Sequence, residues 1–275
     1  MPGQNRQVIE LRTSGATCMI SPPDGGRIAQ LTVAGRDLLI ARPAGDAADA
    51  MVWGSYPMAP WGGRVRDGRF AFDGHEYQLQ INHPPHSIHG TVWFQPWSVS
   101  DIDDRSMMMS CALGDHWPFG GVAHQRIELS DRGLICQLGV TADDLAMPAQ
   151  VGWHPWFVKP DAATFEFALM YARDTAHIPT GELVPMPSGP WDDCFIGELG
   201  PIALTFGDLT VGVSSDCSHW VIFDQLARAT CVEPQSGPPD GFNAQAHRTS
   251  PANTERFTVL APGESMQRTM SITWS

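Results

Sequence analysis

Basic side chains are scarce in this chain of 275 residues: 17 Lys plus Arg stand against 30 Asp plus Glu, for a formal charge of −13. Nucleic acid and anionic membranes both require basic patches, so neither is expected as a partner. A strongly anionic substrate is disfavoured as well, unless a local Arg cluster overrides the net charge. Long apolar runs are also missing. None approaches the roughly 20 residues that a membrane helix needs. The start, Met1-Pro2-Gly3-Gln4-Asn5-Arg6, has no apolar segment after a basic one, so no secretory signal is expected. The six cysteines (Cys18, Cys111, Cys136, Cys194, Cys217, Cys231) are widely spaced and form no Cys-x-x-Cys pair. The expectation is a cytoplasmic protein with reduced thiols, some of them acting only as small buried apolar groups.

Helix signals are few. The 27 Gly and 23 Pro fall at short intervals and would break most helices longer than two turns. Short alternating or β-branched runs recur between turn signals. Examples are Val8 to Leu11, Ile28 to Val33, Tyr77 to Ile81, Met107 to Leu113, Leu134 to Val140 and Met266 to Trp274. Asp73-Gly74 reads as a hairpin turn between Phe70-Ala71-Phe72 and Tyr77-Gln78-Leu79. Asp131-Arg132-Gly133 reads as another. Many short strands with such turns indicate an all-β protein, a large antiparallel sandwich or barrel. The chain is long enough to bury a full core, and residues 1–275 read as a single domain. The densest loop stretches are Pro57 to Asp67, Asn82 to Trp97, Pro185 to Asp193 and Glu233 to Pro251.

Several chemical signatures are absent: a Gly-x-Gly-x-x-Gly turn, a phosphate loop with Lys-Ser/Thr, and a Gly-x-Ser-x-Gly elbow. Cofactor chemistry and acyl transfer therefore have no support. His83-x-x-His86-x-x-His89 is the one arrangement that suggests a metal. Pro84-Pro85 forbids a helix there, and on a strand the spacing of three alternates faces. No metal is expected. Two of the three should be solvated loop histidines, with His89, before Gly90, left as a ligand contact.

What remains favours proton transfer. Glu233 ends a short apolar run and precedes a loop rich in Pro and Gly, a place where a carboxylate is held firmly and presented. His154 stands among Gly152-Trp153-His154-Pro155-Trp156-Phe157. It reads equally as a buried histidine tied to the backbone or as an imidazole walled by indoles. Arg64 and Arg66 share a face if their segment is extended. Asp192-Asp193 is a paired acid in a loop, solvated or ligand-binding. The aromatics are lopsided, 10 Trp against 3 Tyr. Indoles fill cores more often than they stack on sugar rings.

Taken in order, these segments resemble the aldose 1-epimerase (mutarotase) family over most of the chain. Gly63-Arg64-Val65-Arg66-Asp67-Gly68-Arg69-Phe70 is similar to the family's Asn-Arg-Ile-x-x-Gly-x-Phe. Gly74-His75-Glu76-Tyr77-Gln78-Leu79 resembles its next strand. Ile88-His89-Gly90 resembles its Leu-His-Gly-Gly, and His154-Pro155-Trp156-Phe157 its His-Pro-Tyr-Phe. Ile178-Pro179-Thr180-Gly181-Glu182 matches its Ile-Pro-Thr-Gly-Glu. Asp192-Asp193-Cys194-Phe195 and Glu233-Pro234-Gln235 with Pro239-Asp240 resemble its Asp-x-x-Phe, its Glu-Thr-Gln and its Pro-Asp loop. The resemblance implies a large antiparallel β-sandwich, of the mutarotase supersandwich type, whose concave face binds a pyranose. It implies Glu233 as general base, His154 as general acid and His89 as a second imidazole near the ring oxygen. Arg64 and Asp192 would hold hydroxyls. Trp156, Trp61 and Gln235 are expected in the pocket. No metal and no cofactor are implied. The partner is a small sugar, an aldohexose or a modified one, and the protein a monomer or homodimer. Gly63, Thr91 and Trp156 depart from the pattern, which leaves the preferred sugar open. A hexose-6-phosphate epimerase, using Arg64, Arg66 and Arg69 for the phosphate, is one alternative. A sugar-binding module without turnover is another.

Overall fold

A computed structural model describes residues 8–44, 49–243 and 256–275. Two large antiparallel sheets dominate it. The larger has eleven strands, and from Arg27–Val33 it runs neighbour to neighbour through Ser55–Met58, Gly152–Val158, Ala229–Gln235, His219–Phe223, Asp192–Glu198, Phe167–Arg173 and Pro179–Pro185. The other has eight. Its Ser106–Ala112, Val122–Leu129 and Gly133–Thr141 strands pair in sequence order and then meet Ser265–Trp274. One apolar core joins the sheets, with Leu31, Trp153, Phe157 and Ile222 from the first and Ile127, Leu138 and Ile272 from the second.

Period-two alternation sets the faces. On Gly152–Val158, Trp153 and Phe157 enter the shared core, while His154 and Trp156 turn the other way. On Ala229–Gln235, Val232 faces the core and Glu233 the opposite side. The expected hairpin at Asp73-Gly74 is present between Arg69–Phe72 and His75–Gln78. Both turn residues have positive φ, 48° and 76°, as a tight two-residue hairpin requires. The strand expected to reach Ile81 stops at Gln78. Glu233 does not border a loop: its strand runs two residues further, to Gln235. The loop expected from Glu233 to Pro251 is described only as far as Asn243, and residues 244–251 lie outside the described residues. No described helix is long and apolar enough to cross a membrane.

Candidate active site

Strand register builds the site from distant parts of the chain. Tyr56 pairs with His154. Gly152 opposite Gln235 and Trp156 opposite Cys231 set His154 across from Glu233, which itself pairs with Val221, and Val221 with Cys194. One row across the sheet therefore reads Tyr56, His154, Glu233, Val221, Cys194. The next row carries Trp156, Cys231, Phe223 and Asp192. Segments outside the sheet cover these rows and bring in Arg64, His83 and His89. Between sheet and cover lies a cavity of about 280 Å³.

At its floor, His154 Nε2 lies 3.2 Å from Glu233 Oε1. Both side chains are buried. Burial pushes the Glu233 carboxyl well above its usual range, and the charge of Asp192 pushes the same way, while Arg64 and Gln235 oppose. Burial also pushes the His154 imidazole down, to about 3. The dehydrated cleft therefore favours the neutral form of each partner. His154 is sandwiched: the Trp156 ring stacks on it at 5.2 Å and 11°, and the Tyr56 ring packs against it at 4.8 Å. His89 meets it edge-on at 5.0 Å. Burial, and then the neighbouring His154, hold the His89 imidazole well below its ordinary value. His89 adopts φ 61°, a left-handed conformation unusual for a non-glycine, and its main-chain N–H donates to Gly63 O.

The polar wall is tied by ion pairs. Arg173 Nη1 binds Asp192 Oδ2 and its Nε binds Asp193 Oδ1, each at 2.8 Å. Gln235 Nε2 donates to Glu233 Oε2 at 3.4 Å. Nine buried side-chain atoms have no hydrogen-bond partner among the described residues, and five of them belong to residues that line the cavity: Tyr56 Oη, His89 Nδ1, His154 Nδ1, Trp156 Nε1 and Gln235 Oε1. In folded proteins most buried polar groups are paired, so a cluster of unpaired ones around a cavity marks a place for a polar ligand.

The scan of family models matches residues 7–200 to the aldose 1-epimerase family. YphB of Escherichia coli K12, named as an uncharacterized protein, is 33% identical over 123 residues, which span 42% of this chain and 40% of that protein. YihR of the same strain, also named uncharacterized, is 24% identical over 86% of this chain and 89% of its own. Among solved structures, a putative aldose 1-epimerase from Escherichia coli K12 superposes with a TM-score of 0.83 at 22% identity, covering 98% of this chain and 99% of that one. The chain belongs to the aldose 1-epimerase family.

Seven residues expected in the pocket of this family member line the cavity: Glu233, His154, His89, Arg64, Asp192, Trp156 and Gln235. Trp61 does not. It is 2% exposed and belongs to the main core, its ring 5.7 Å from that of Trp117. Trp61 itself lies in no strand, so no strand register turns it to the site face. His86 is not a solvated loop residue either: it is buried, its Nδ1 accepts from Asp67 N at 3.0 Å, and its Nε2 reaches Ala176 O at 3.1 Å. His83 is exposed at the cavity mouth. Only one member of the proposed Arg cluster faces the cavity. Arg66 is bound to Asp174 at 2.6 Å and Arg69 donates to Gln78 at 3.0 Å.

Sequence reasoning passed over Tyr56 and Arg173. Arg173 carried one usable signal, its place two residues after Tyr171 on one face of a strand that leads into Ile178-Pro179-Thr180. The Gly63 departure has a steric cause: φ is +62°, and a Cβ there would sit 2.8 Å from that of Pro239. Thr91 is spent on structure, its hydroxyl donating to Leu113 O at 2.7 Å. His89, His154 and Glu233 do bring one donor atom each within 4.8 Å of one another, an outline that could hold a cation. Here His154 Nε2 and Glu233 Oε1 engage each other and the Arg64 guanidinium is a neighbouring charge, a setting that suits a proton better.

Proposed function

We propose that this protein interconverts the α and β anomers of an aldohexose by opening and reclosing the pyranose ring. The Glu233–His154 contact of 3.2 Å inside the cavity carries this reading. Mutarotation must take a proton from the C1 hydroxyl and give one to the ring oxygen. One acid and one base suffice, and a pair that shares a single proton supplies both. With the proton on His154, Glu233 is the base that takes the O1 proton, and His154 delivers its own to O5. The C1–O5 bond then breaks and C1 becomes an aldehyde. The pair is left as carboxylic acid and neutral imidazole, the forms that burial favours. Rotation of the aldehyde exposes its other face. Closure reverses both transfers and restores the pair, so no cofactor is consumed.

His89 stands beside His154 to contact the ring oxygen, and Arg64 and Asp192 to hold hydroxyls. The flat Trp156 ring offers an apolar surface to the sugar. The phosphate alternative loses support because Arg66 and Arg69 are engaged elsewhere.

The test is the rate of α-to-β interconversion of freshly dissolved sugars, followed by polarimetry or proton NMR. Glucose, galactose, an acidic hexose and glucose 6-phosphate would each be run with wild type and Glu233→Gln. Acceleration of at least one sugar, abolished by the substitution, is expected. Binding of sugars with no acceleration of any would mean a binding module instead.

A further inference from the structure

Behind the site wall lies a charge to which the reaction gives no role. Arg27 is 1% exposed, yet among the described residues no carboxylate touches its guanidinium. It donates instead to four main-chain carbonyls. Nε reaches Asp24 O at 2.6 Å, Nη1 reaches Ala50 O at 2.6 Å and Trp53 O at 3.0 Å, and Nη2 reaches Trp93 O at 3.1 Å. Its Cζ stands 4.2 Å from the centre of the Trp53 ring and 5.2 Å from that of Tyr56. A buried cation with only carbonyls and ring faces for company is expensive to fold around. The chain is shaped to allow it. A Cβ on Gly25 would lie 1.8 Å from Trp93 O, and one on Gly54 2.4 Å from Ile28 O, so only glycine lets these segments close on the guanidinium.

Its location links it to the chemistry. Ile28 pairs with Ser55, which sets Arg27 opposite Tyr56. The active-site row then extends one strand further and reads Arg27, Tyr56, His154, Glu233, with successive contacts of 5.2, 4.8 and 3.2 Å. Three of the four carbonyls it grips belong to two segments that shape the cavity. One is 49–53, whose Asp49, Met51 and Val52 line it. The other runs from His89 to Trp93.

We propose that Arg27 is a positioning residue: it clamps the 49–53 wall to the His89–Trp93 segment and, through the Tyr56 ring, seats His154 against Glu233. This rests on the reading of His154 and Glu233 as the reacting pair. The charge contributes as well as the clamp. The groups facing His154 are Glu233, Tyr56, His89 and, further off, Arg64 and Arg27. After burial, the two arginines oppose a proton on this imidazole, Arg27 the more strongly. A proton that does arrive there is held loosely and is given up readily to the ring oxygen. Arg27 itself has Asp24, Arg42 and Asp49 as its charged surroundings. Burial lowers its pKa to about 10, which leaves it charged at neutral pH.

Two variants separate the clamp from the charge. Arg27→Gln removes both, while Arg27→Lys keeps the charge and loses the four-carbonyl grip. Three quantities would be read on the full-length protein: the His154 titration by nitrogen-15 NMR, hydrogen exchange of the Met51, Val52 and Trp53 amides, and KM against kcat for the accelerated sugar. In Arg27→Gln the His154 midpoint should rise by about one pH unit, the effect of a unit charge two ring widths away at an interior dielectric near 20. In Arg27→Lys it should stay close to wild type. Both variants should exchange faster at 51–53. Both should raise KM by about tenfold, the weight of one or two side chains left to be ordered on binding. Unchanged His154 titration, exchange and KM in both, with only a lower Tm, would make Arg27 a core arginine and overturn the proposal. Should Arg27→Gln fail to fold, unchanged exchange and KM in Arg27→Lys would overturn it equally. NMR and exchange need no turnover, so a wild type that accelerates no sugar would sink the epimerase reading alone.

Discussion

The two large sheets use the same kind of strand in opposite ways. On the eight-stranded sheet, Val122–Leu129 buries Ala123, Gln125, Ile127 and Leu129 and leaves the intervening residues partly or fully open to water. On the eleven-stranded sheet, Ala229–Gln235 is buried at every position and Gly152–Val158 at all but its last. The first sheet has one wet face, the second a face covered by chain. Buried polar groups differ in the same sense. Gln125, under the ordinary sheet, donates to Gly26 O at 2.9 Å and accepts from the Trp153 indole at 3.0 Å. On the covered face, His89, His154 and Gln235 keep buried atoms without partners. A second covered face dehydrates a carboxylate and an imidazole together and leaves their remaining valences for a ligand. On the proposed function, that is a cost in stability retained for chemistry.

The sharpest way to break the comparison is to neutralise the covered face. Glu233→Gln keeps the shape and the Gln235 contact but removes the proton acceptor. Anomer interconversion should fall by about a thousandfold, within the usual weight of a general acid–base group, while sugar binding persists. Melting temperature should hold or rise, because an awkwardly buried acid has been replaced by a neutral amide. Full turnover in the variant would remove Glu233 from the mechanism.

On the ordinary sheet the same kind of single change should act on stability alone. Leu138 is fully buried in the shared core, on the strand that pairs with both Val122–Leu129 and Ser265–Trp274. Leu138→Ala should cost about 3.5 kcal/mol of unfolding free energy, the middle of the range for a buried leucine that leaves a cavity. Denaturant unfolding measures it, and kcat of the folded fraction should not change. A large loss of kcat would mean that the two faces are mechanically joined through the core.

The contrast between sheets also explains what the sequence could disclose. One half of the eight-stranded sheet was legible because its strands there are consecutive and alternate, so Met107–Leu113 and Leu134–Val140 stand out as runs with turns between them. That Glu233, His154 and His89 line one cavity was foreshadowed by the order of the motifs around them, while the residues themselves left His154 open to a bland reading. Tyr56 was not legible. It becomes a site residue only through the register that pairs it with His154, a contact between strands roughly a hundred residues apart, and no local pattern encodes such a pairing. Trp61 failed for the complementary reason. An indole flanked by glycines carries no signal of which face it will take, and the core claimed it.

A smaller effect should appear in the loop that carries Arg64. Asp240 N donates to Arg64 O at 2.6 Å, and Asp240 Oδ1 accepts from Arg66 N at 2.9 Å and from Asn243 at 2.8 Å. Burial raises the Asp240 carboxyl from 3.8 to about 6. A raised acid holds its proton in the folded state after the unfolded chain has lost it. Its favourable contribution is therefore complete below pH 4 and is lost as pH rises to about 6. The loss is at most about 3 kcal/mol, from two pH units at 1.36 kcal/mol each. Asn tolerates the φ of 56° found here and keeps the acceptor oxygen, so Asp240→Asn removes the titration and little else. Urea unfolding of both proteins at pH 4 and pH 7 should show wild type losing stability relative to the variant on going to the higher pH. The opposite sign would mean that the Arg66 side chain, not burial, governs this carboxyl.

The smallest effect belongs to the wet face, and it completes the comparison because the chemistry is the same as in the site. Arg126 and Glu128 form an ion pair on the outside of the eight-stranded sheet, with side chains 36% and 42% exposed. Arg173 binds Asp192 and Asp193 in the cavity wall, where the three side chains are 23%, 19% and 13% exposed. Water screens the first pair and both partners can be solvated apart, so Glu128→Gln should change unfolding free energy by no more than about 0.5 kcal/mol and leave catalysis untouched. Removing Arg173 leaves two carboxylates facing each other in a dry wall beside Glu233. Arg173→Met should therefore weaken sugar binding and drive the Glu233 carboxyl still higher, so that less of it is available as a base at neutral pH. The same two substitutions in 0.5 M salt sharpen the point. Salt should erase the small difference at Glu128 and leave most of the effect at Arg173, since ions screen a face they can reach and not one that the chain has covered.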